Sequence, residues 1–248
     1  MTVHPPAAQA KTASVAPIRN WPLTLLSGLL LPVLLGLGLW QLQRAEEKAQ
    51  LNAAIDARLS AQPRKPAELE AIQAYTPVRL SGYYRDEIRY LDNRTRNGRV
   101  GYEILQVFVS GKERWLVNRG WVPAGANREQ LPEVPWPRAA KVITGFLYPL
   151  DDAGEVPAGP RVQSANRALG RELALEQPTW SVRLSADSDT ALLTGWQLIN
   201  SPPQRHTAYA VQWFAMAAAL LVLWLFAATD LPRKLRKKYR ACPQADSD

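Results

Sequence analysis

Two long apolar runs, Leu23 to Leu42 and Ala208 to Thr229, stand near opposite ends of this chain, and neither contains a charged residue. Each is about 20 residues long, which at helical rise matches the roughly 30 Å hydrocarbon core of a bilayer. The first run holds many leucines, each favouring insertion by roughly 0.3 to 0.6 kcal/mol, enough to outweigh Gly28, Pro32, Gly36 and Gly38. Nothing between the runs is apolar enough to span. The expected fold class is therefore an α+β membrane protein. Two transmembrane helices, over residues 21–42 and 208–229, bracket a mainly antiparallel β domain over 43–207, barrel-like or sandwich-like, with one or two helices. The tails 1–20 and 230–248 complete the chain.

Basic flanks set the expected orientation, because Lys and Arg are retained on the cytoplasmic side. Lys11 and Arg19 precede the first span, and Arg233, Lys234, Arg236, Lys237, Lys238 and Arg240 follow the second. Both termini are then cytoplasmic and the loop domain is periplasmic, or faces the intermembrane space in a mitochondrion. The first apolar stretch is longer than a signal-peptide core and no A-x-A site follows it, so it reads as an uncleaved anchor. The short stretch before it favours a bacterial inner membrane over a mitochondrial presequence. The only cysteine, Cys242, falls in the cytoplasmic tail, so an oxidising compartment offers the loop domain no disulfide and no Cys-based copper site.

The net charge of +8 resembles a nucleic-acid signal until it is divided by compartment. About +2 belongs to the first tail, about +3 to the loop domain and about +3 to the last tail. Much of the excess is topogenic and suits anionic lipid. Nucleic acid is not an expected partner.

Period-two alternation recurs through the loop domain. A leading helix continues the first span through Arg44, Lys48, Leu51, Ile55 and Leu59 and stops before Pro63, with Pro63 to Pro66 as a linker. Val78, Leu80 and Gly82 share a strand face, and Ile88 and Tyr90 begin another strand. Asn97-Gly98 is a turn signal, followed by a strand from Val100 to Val109. Ser110-Gly111-Lys112 turns the chain into Trp115, Leu116 and Val117. Pro132, Pro135 and Pro137 mark a loop, Val142 to Tyr148 a strand, and Asp151 to Pro160 another loop. Arg167 to Glu176 suits a short helix stopped at Pro178. Trp180, Val182 and Leu184 alternate again, and Gly195 to Ile199 is the expected last strand. A closed or nearly closed antiparallel sheet is the economical arrangement.

Catalytic parts are scarce. The loop domain has no cysteine, its one histidine is His206 at the lip of the second span, and His4 is on the cytoplasmic side. Ser-His and Cys-His nucleophile arrangements and zinc sites therefore lack components. Asp86-Glu87 and Asp151-Asp152 fall in expected turns, and no glycine-rich phosphate loop joins a strand to a helix. Binding or assembly is favoured over turnover.

Three stretches carry a family resemblance. Gly38, Trp40, Gln41, Arg44 and Lys48 form G-x-W-Q-x-x-R-x-x-x-K at the exit of the first span. Residues Val117 to Pro123 read V-N-R-G-W-V-P, and the second span opens His206-Thr207-Ala208-Tyr209-Ala210-Val211-Gln212-Trp213-Phe214. Together with Pro77-Val78, Gly82-Tyr83, Asn93-Arg94, Gly98, Gly101-Tyr102 and Thr144-Gly145-Phe146, the chain resembles the Surfeit-locus, Shy-like, assembly factors of cytochrome c oxidase from about Gly36 to Ala217. It departs from them at Gln204-Arg205, where a pair of asparagines is usual, and between Asp151 and Asp189, which marks a divergent bacterial member.

The resemblance implies a non-enzymatic role in maturing haem-copper oxidases, through delivery or retention of haem a. It implies as partners the oxidase catalytic subunit or a haem a synthesis enzyme, with membrane lipid and a second copy of the chain also in view. It implies His206 as the candidate haem iron ligand. Ser201 before Pro202 suits a helix N-cap, which places His206 about one turn inside, where the helix terminus helps keep its imidazole neutral. His206, Tyr209, Ala210, Trp213 and Ala217 share one helical face, and the alanines leave room for a flat macrocycle. The alternative is an interfacial histidine beside an aromatic belt of Tyr209 and Trp213. Gln212 is expected to face the other helix or a ligand. Gly28, Pro32 and Gly36 are expected to accept the alanine-rich face. Arg119 can pair with a haem propionate or hold the next turn in place. Trp40, Gln41 and Arg44 suit the membrane surface as anchors first and partner contacts second. The reading that competes with oxidase assembly is a membrane-tethered scaffold or lipid-binding module without haem.

Overall fold

Asn20 opens the first helix: its Oδ1 accepts from Leu23 N at 3.3 Å, satisfying one of the donors that a helix start leaves without a partner. The computed structural model describes residues 18, 20–152, 154, 159–198 and 202–228. Helix α1, Trp21–Leu59, runs unbroken through Pro32. It therefore joins the first apolar run and the expected leading helix in one element, which ends ahead of Pro63 as the sequence predicts. Helix α3, Pro203–Ala228, carries the second run. Both helices are long and apolar enough to cross a membrane, and this is a membrane protein. The chain divides into two units, one of residues 1–50 with 201–248 and one of residues 51–200. His4, Lys11, Arg19, Ser201, Thr229, Cys242 and the basic tail lie outside the described residues.

The second unit is a sheet closed on itself. Strands β1 (Pro77–Arg96), β2 (Arg99–Ser110), β3 (Glu113–Pro123), β4 (Lys141–Pro149), β5 (Arg161–Val162) and β6 (Trp180–Leu184) pair in the order β2-β3-β6-β4-β1, and β1 returns to β2. Closure removes the free edges of the five-strand ring, while β5 adds to β1. The pairing is mainly antiparallel, with β3–β6 and β1–β5 parallel.

Closure is possible because β1 serves two neighbours in succession. Residues Pro77 to Gly82 pair with β4, and Tyr83 to Arg96 pair with β2. The sequence reading expects two strands here; there is one, bent where its register shifts between Tyr84 and Ile88. Gly82 sits at the change of partner, where a Cβ would run into the Val109 carbonyl oxygen. The Asn97-Gly98 turn is as expected, with φ of 48° and 74°, the left-handed pair that a two-residue hairpin requires.

Inward side chains fill the ring at period two: Val78 and Leu80 from β1, Trp115 and Val117 from β3, Ile143 and Leu147 from β4, and Val182 and Leu184 from β6. A second core lies under helix α2, Arg167–Glu172, where Leu169 and Leu173 meet Leu105, Val107 and Leu116. A third gathers Tyr90, Tyr102 and Ile104 around Val134 of the proline-rich loop. Strands β2 and β3 are thus covered on both faces and are buried continuously rather than alternately.

Helix α2 is capped by Asn166, whose Oδ1 accepts from Leu169 N at 2.9 Å, and ends at Glu172, earlier than expected, because Ala174 turns left-handed at φ 51°. The expected last strand at Gly195 does not form over its described residues. Gly195 has φ +96°, outside the β region, and the Trp196 indole donates to Leu184 O at 2.9 Å instead. Ile199 lies outside the described residues.

Glu87, beside the bend in β1, accepts from Arg114 Nη2 at 2.8 Å, and this bond holds its carboxyl below the usual carboxylate range. A lowered folded pKa stabilises the domain above the ordinary carboxylate value, and that contribution is lost as pH falls through the folded value. In urea unfolding of the solubilised protein, Glu87→Gln is therefore expected to be less stable than wild type at pH 7, with the gap closing below about pH 4. A gap that is constant with pH would remove the ion pair from the account.

Candidate functional site

The V-N-R-G-W-V-P segment builds a bulge in β3. Glu103 faces Trp121 and Leu105 faces Asn118, so Arg119 and Gly120 together oppose one residue of β2. Gly120 has φ +117°, and a Cβ there would meet Leu193 O at 2.9 Å. Asn118 braces the bulge from both ends of its amide, donating to Glu103 Oε2 at 2.7 Å and accepting from Gly120 N at 3.1 Å. Trp121 closes it by donating from its indole to Arg94 O at 2.7 Å.

The bulge turns Arg119 into the domain interior, where it is 3% exposed. Its Nη1 donates to Gln106 Oε1 at 2.9 Å, Nε to Thr190 O at 3.2 Å and Nη2 to Pro135 O at 3.1 Å. The guanidinium also lies 5.1 Å from the Tyr84 ring centroid, and Tyr84 Oη bonds Thr190 Oγ1 at 2.7 Å. Burial pulls the Arg119 pKa down and the Tyr84 phenol up. Of the two roles open to Arg119 from sequence, this geometry accommodates the structural one. Pairing with a propionate would displace three acceptors already in place.

His206 lies within the first turn of α3, and its Nδ1 is 2.8 Å from Gln41 Oε1 on α1. Sequence reasoning gave Gln41 a place at the membrane surface and did not find this pairing, although both residues stand in the motifs that carry the resemblance. Further along, Phe214 packs on Gly38, where a Cβ would come within 2.6 Å of the ring, and the Trp224 indole donates to Thr24 Oγ1 at 3.1 Å. Gly38, not Gly28 or Gly36, is therefore the close-approach glycine; nothing stands within 4 Å of a Cβ at the other two.

The face expected to hold a macrocycle is divided. Ala210 and Ala217 are buried, whereas Tyr209 is 46% exposed and Trp213 half-buried. Gln212, expected to face the other helix or a ligand, is exposed and so is not covered by the other helix. Among the described residues, no three His, Cys, Asp or Glu side chains cluster as a metal cage. An imidazole beside a side-chain amide is what these helices provide.

A two-span membrane protein with a closed β domain, a buried arginine bulge and a glutamine-oriented histidine is thus defined. The chain belongs to the SURF1 family, whose sequence model matches residues 28–218. A SURF1-like protein of Rickettsia felis is 23% identical over 211 residues, covering 78% of this chain and 91% of that protein. One of Monosiga brevicollis is 27% identical over 230 residues, covering 78% and 83%.

Arg119→Lys is expected to lower the loop domain's stability by about 2 to 4 kcal/mol, since one ammonium cannot serve three acceptors held in a fork. Chemical denaturation followed by near-ultraviolet circular dichroism measures it; a change under about 0.5 kcal/mol would show that the network carries no weight.

Proposed function

We propose that this chain is a maturation factor for haem-copper cytochrome c oxidase that holds haem a through His206 during assembly of the catalytic subunit. The SURF1 family is associated with cytochrome c oxidase assembly and is not a known enzyme class. The 2.8 Å contact between His206 Nδ1 and Gln41 Oε1 is the observation that carries the ligand assignment.

In the tautomer where Nδ1–H donates to the Gln41 amide oxygen, the imidazole lone pair is on Nε2, the atom that would hold an iron. Hydrogen bonding to the remote ring nitrogen both fixes this tautomer and makes the ligand more basic. Haem a, if bound, would supply an iron that takes a nitrogen ligand. His206 would supply that nitrogen, Gln41 would orient the ring, and Tyr209 and Trp213 would offer aromatic surface. Arg119 takes no part, its guanidinium being engaged elsewhere. On this reading both termini are cytoplasmic and the loop domain is periplasmic in a bacterial inner membrane, where it meets the oxidase subunit or the haem a synthesis enzyme.

The exposure of Tyr209 favours a second reading, an interfacial anchor on a haem-free scaffold. The two differ in a measurable pigment. Protein purified from cells that make haem a is expected to carry it, His206→Ala to lose it, and Gln41→Leu to bind it about 10- to 100-fold more weakly. His206→Ala with wild-type haem stoichiometry would overturn the ligand assignment. An unchanged a-type band and normal oxidase activity in membranes lacking the protein would overturn the assembly role.

A further inference from the structure

We infer that the loop domain binds an acidic peptide segment of a partner protein in a cleft built by Arg94, Arg96 and Arg183 around Trp196. The cleft has a volume of about 770 Å³ and lies between the end of β1, the paired strands β4 and β6, and the segment from Leu193 to Gln197.

Its distinguishing feature is a cluster of guanidiniums gathered around aromatic rings. Several other arginines of the domain are paired, Arg89 with Glu172, Arg114 with Glu87, Arg128 with Asp92 and Arg119 with three oxygens, while Arg161 also keeps buried nitrogens without a partner. Among the described residues, the guanidiniums of Arg94, Arg96 and Arg183 make no hydrogen bond and no ion pair. Arg94 Nε is fully buried without an acceptor. Arg183 is packed between aromatic rings, 3.5 Å from the Tyr148 centroid and 5.0 Å from that of Trp196, and Arg96 approaches Trp196 at 5.9 Å. Burial lowers the Arg183 pKa, the nearby Tyr148 and Glu103 oppose that shift, and Arg94 adds a smaller lowering. Two carboxylates line the same cleft, yet neither Glu103 nor Asp151 forms an ion pair with these arginines, and Glu103 is bonded by Asn118 Nδ2 at 2.7 Å.

Withdrawing guanidinium atoms from water without an acceptor is costly, so the buried Arg94 Nε and the partly buried Arg183 beside it are arranged for an acceptor that arrives with a ligand. Planar guanidiniums take carboxylates by paired hydrogen bonds. The size and mostly polar lining of the cleft fit a chain segment better than a lone ion or an acyl tail. One wall supports this: Thr194, Gly195 and Gln197 belong to no strand, so their backbone groups can pair with an extended peptide while the arginines take its side chains. This inference stands without haem binding, and its test has no haem readout.

Full-length protein in nanodiscs of neutral phosphatidylcholine would be titrated into fluorescein-labelled hexaglutamate, followed by anisotropy, with hexaglutamine as the uncharged control. Hexaglutamate alone is expected to bind, and to weaken at least about tenfold in the Arg94→Gln/Arg96→Gln double variant and in Arg183→Gln. Exposed Arg171→Gln should bind as wild type. Thermal midpoints separate misfolding from lost binding, and Arg183→Lys, which keeps the charge, should bind at an intermediate level. No anisotropy change with wild type, or unchanged binding by the double variant, would overturn the inference. Displacement of the peptide by citrate at lower concentration, or by phosphatidylglycerol vesicles, would overturn it in favour of a small polycarboxylate or a lipid surface.

Discussion

A cation buried in β3 organises much of the loop domain. Arg119 reaches the interior only because two residues there oppose one on β2, which in turn requires the left-handed φ of Gly120. Once inside, its charge must be met, and it is met by oxygens from three places far apart in the chain: Gln106 in β2, Pro135 in the proline-rich loop and Thr190 beyond β6. None of those regions could move without leaving a guanidinium donor unsatisfied in a low-dielectric interior. The neighbouring backbone bonds, Leu192 N to Arg119 O at 2.7 Å and Trp121 N to Leu193 O at 2.8 Å, fasten the segment after β6 to the same bulge. An irregular stretch of chain is thereby held as firmly as a strand.

Sequence patterns were legible where the deciding physics was local. The Asn97-Gly98 turn, the Ser110-Gly111-Lys112 turn and the two spans each follow from a few adjacent residues. Patterns failed where distant chain decided the outcome. Tyr83 to Glu87 resembles a break between strands, yet β1 runs through it because β4 and β2 flank its two halves in turn. The apolar runs of β2 and β3 gave no hint that α2 covers the second face of the sheet. Gly28 and Gly36 had the spacing of a packing stripe, but which glycine meets a neighbour depends on the rotation of α1, and the Phe214 ring sits over Gly38.

The candidate site shows the same division. His206 could be singled out because the loop offers no other histidine, whereas its contact with Gln41 spans 165 positions and is visible only in three dimensions. Arg119 stood out as part of a specific motif, and its bulge explains that specificity without a ligand: Asn118, Arg119, Gly120 and Trp121 each have a separate structural task. Of the arginines of the cleft, Arg94 falls in the Asn93-Arg94 match, whereas Arg96 and Arg183 belong to no motif and were indistinguishable in sequence from solvated charge.

Arg114 and Arg119 are bonded within the domain, while Arg96 and Arg183 at the cleft lie against aromatic faces. Aromatic contact stabilises a guanidinium by roughly 1 to 2 kcal/mol when desolvated, less than bonds to a carboxylate provide, so an arriving acidic group can be exchanged for nothing tighter. An assembly factor has to release what it holds, and modest cation–π resting contacts let the arginines return to the rings when the partner leaves.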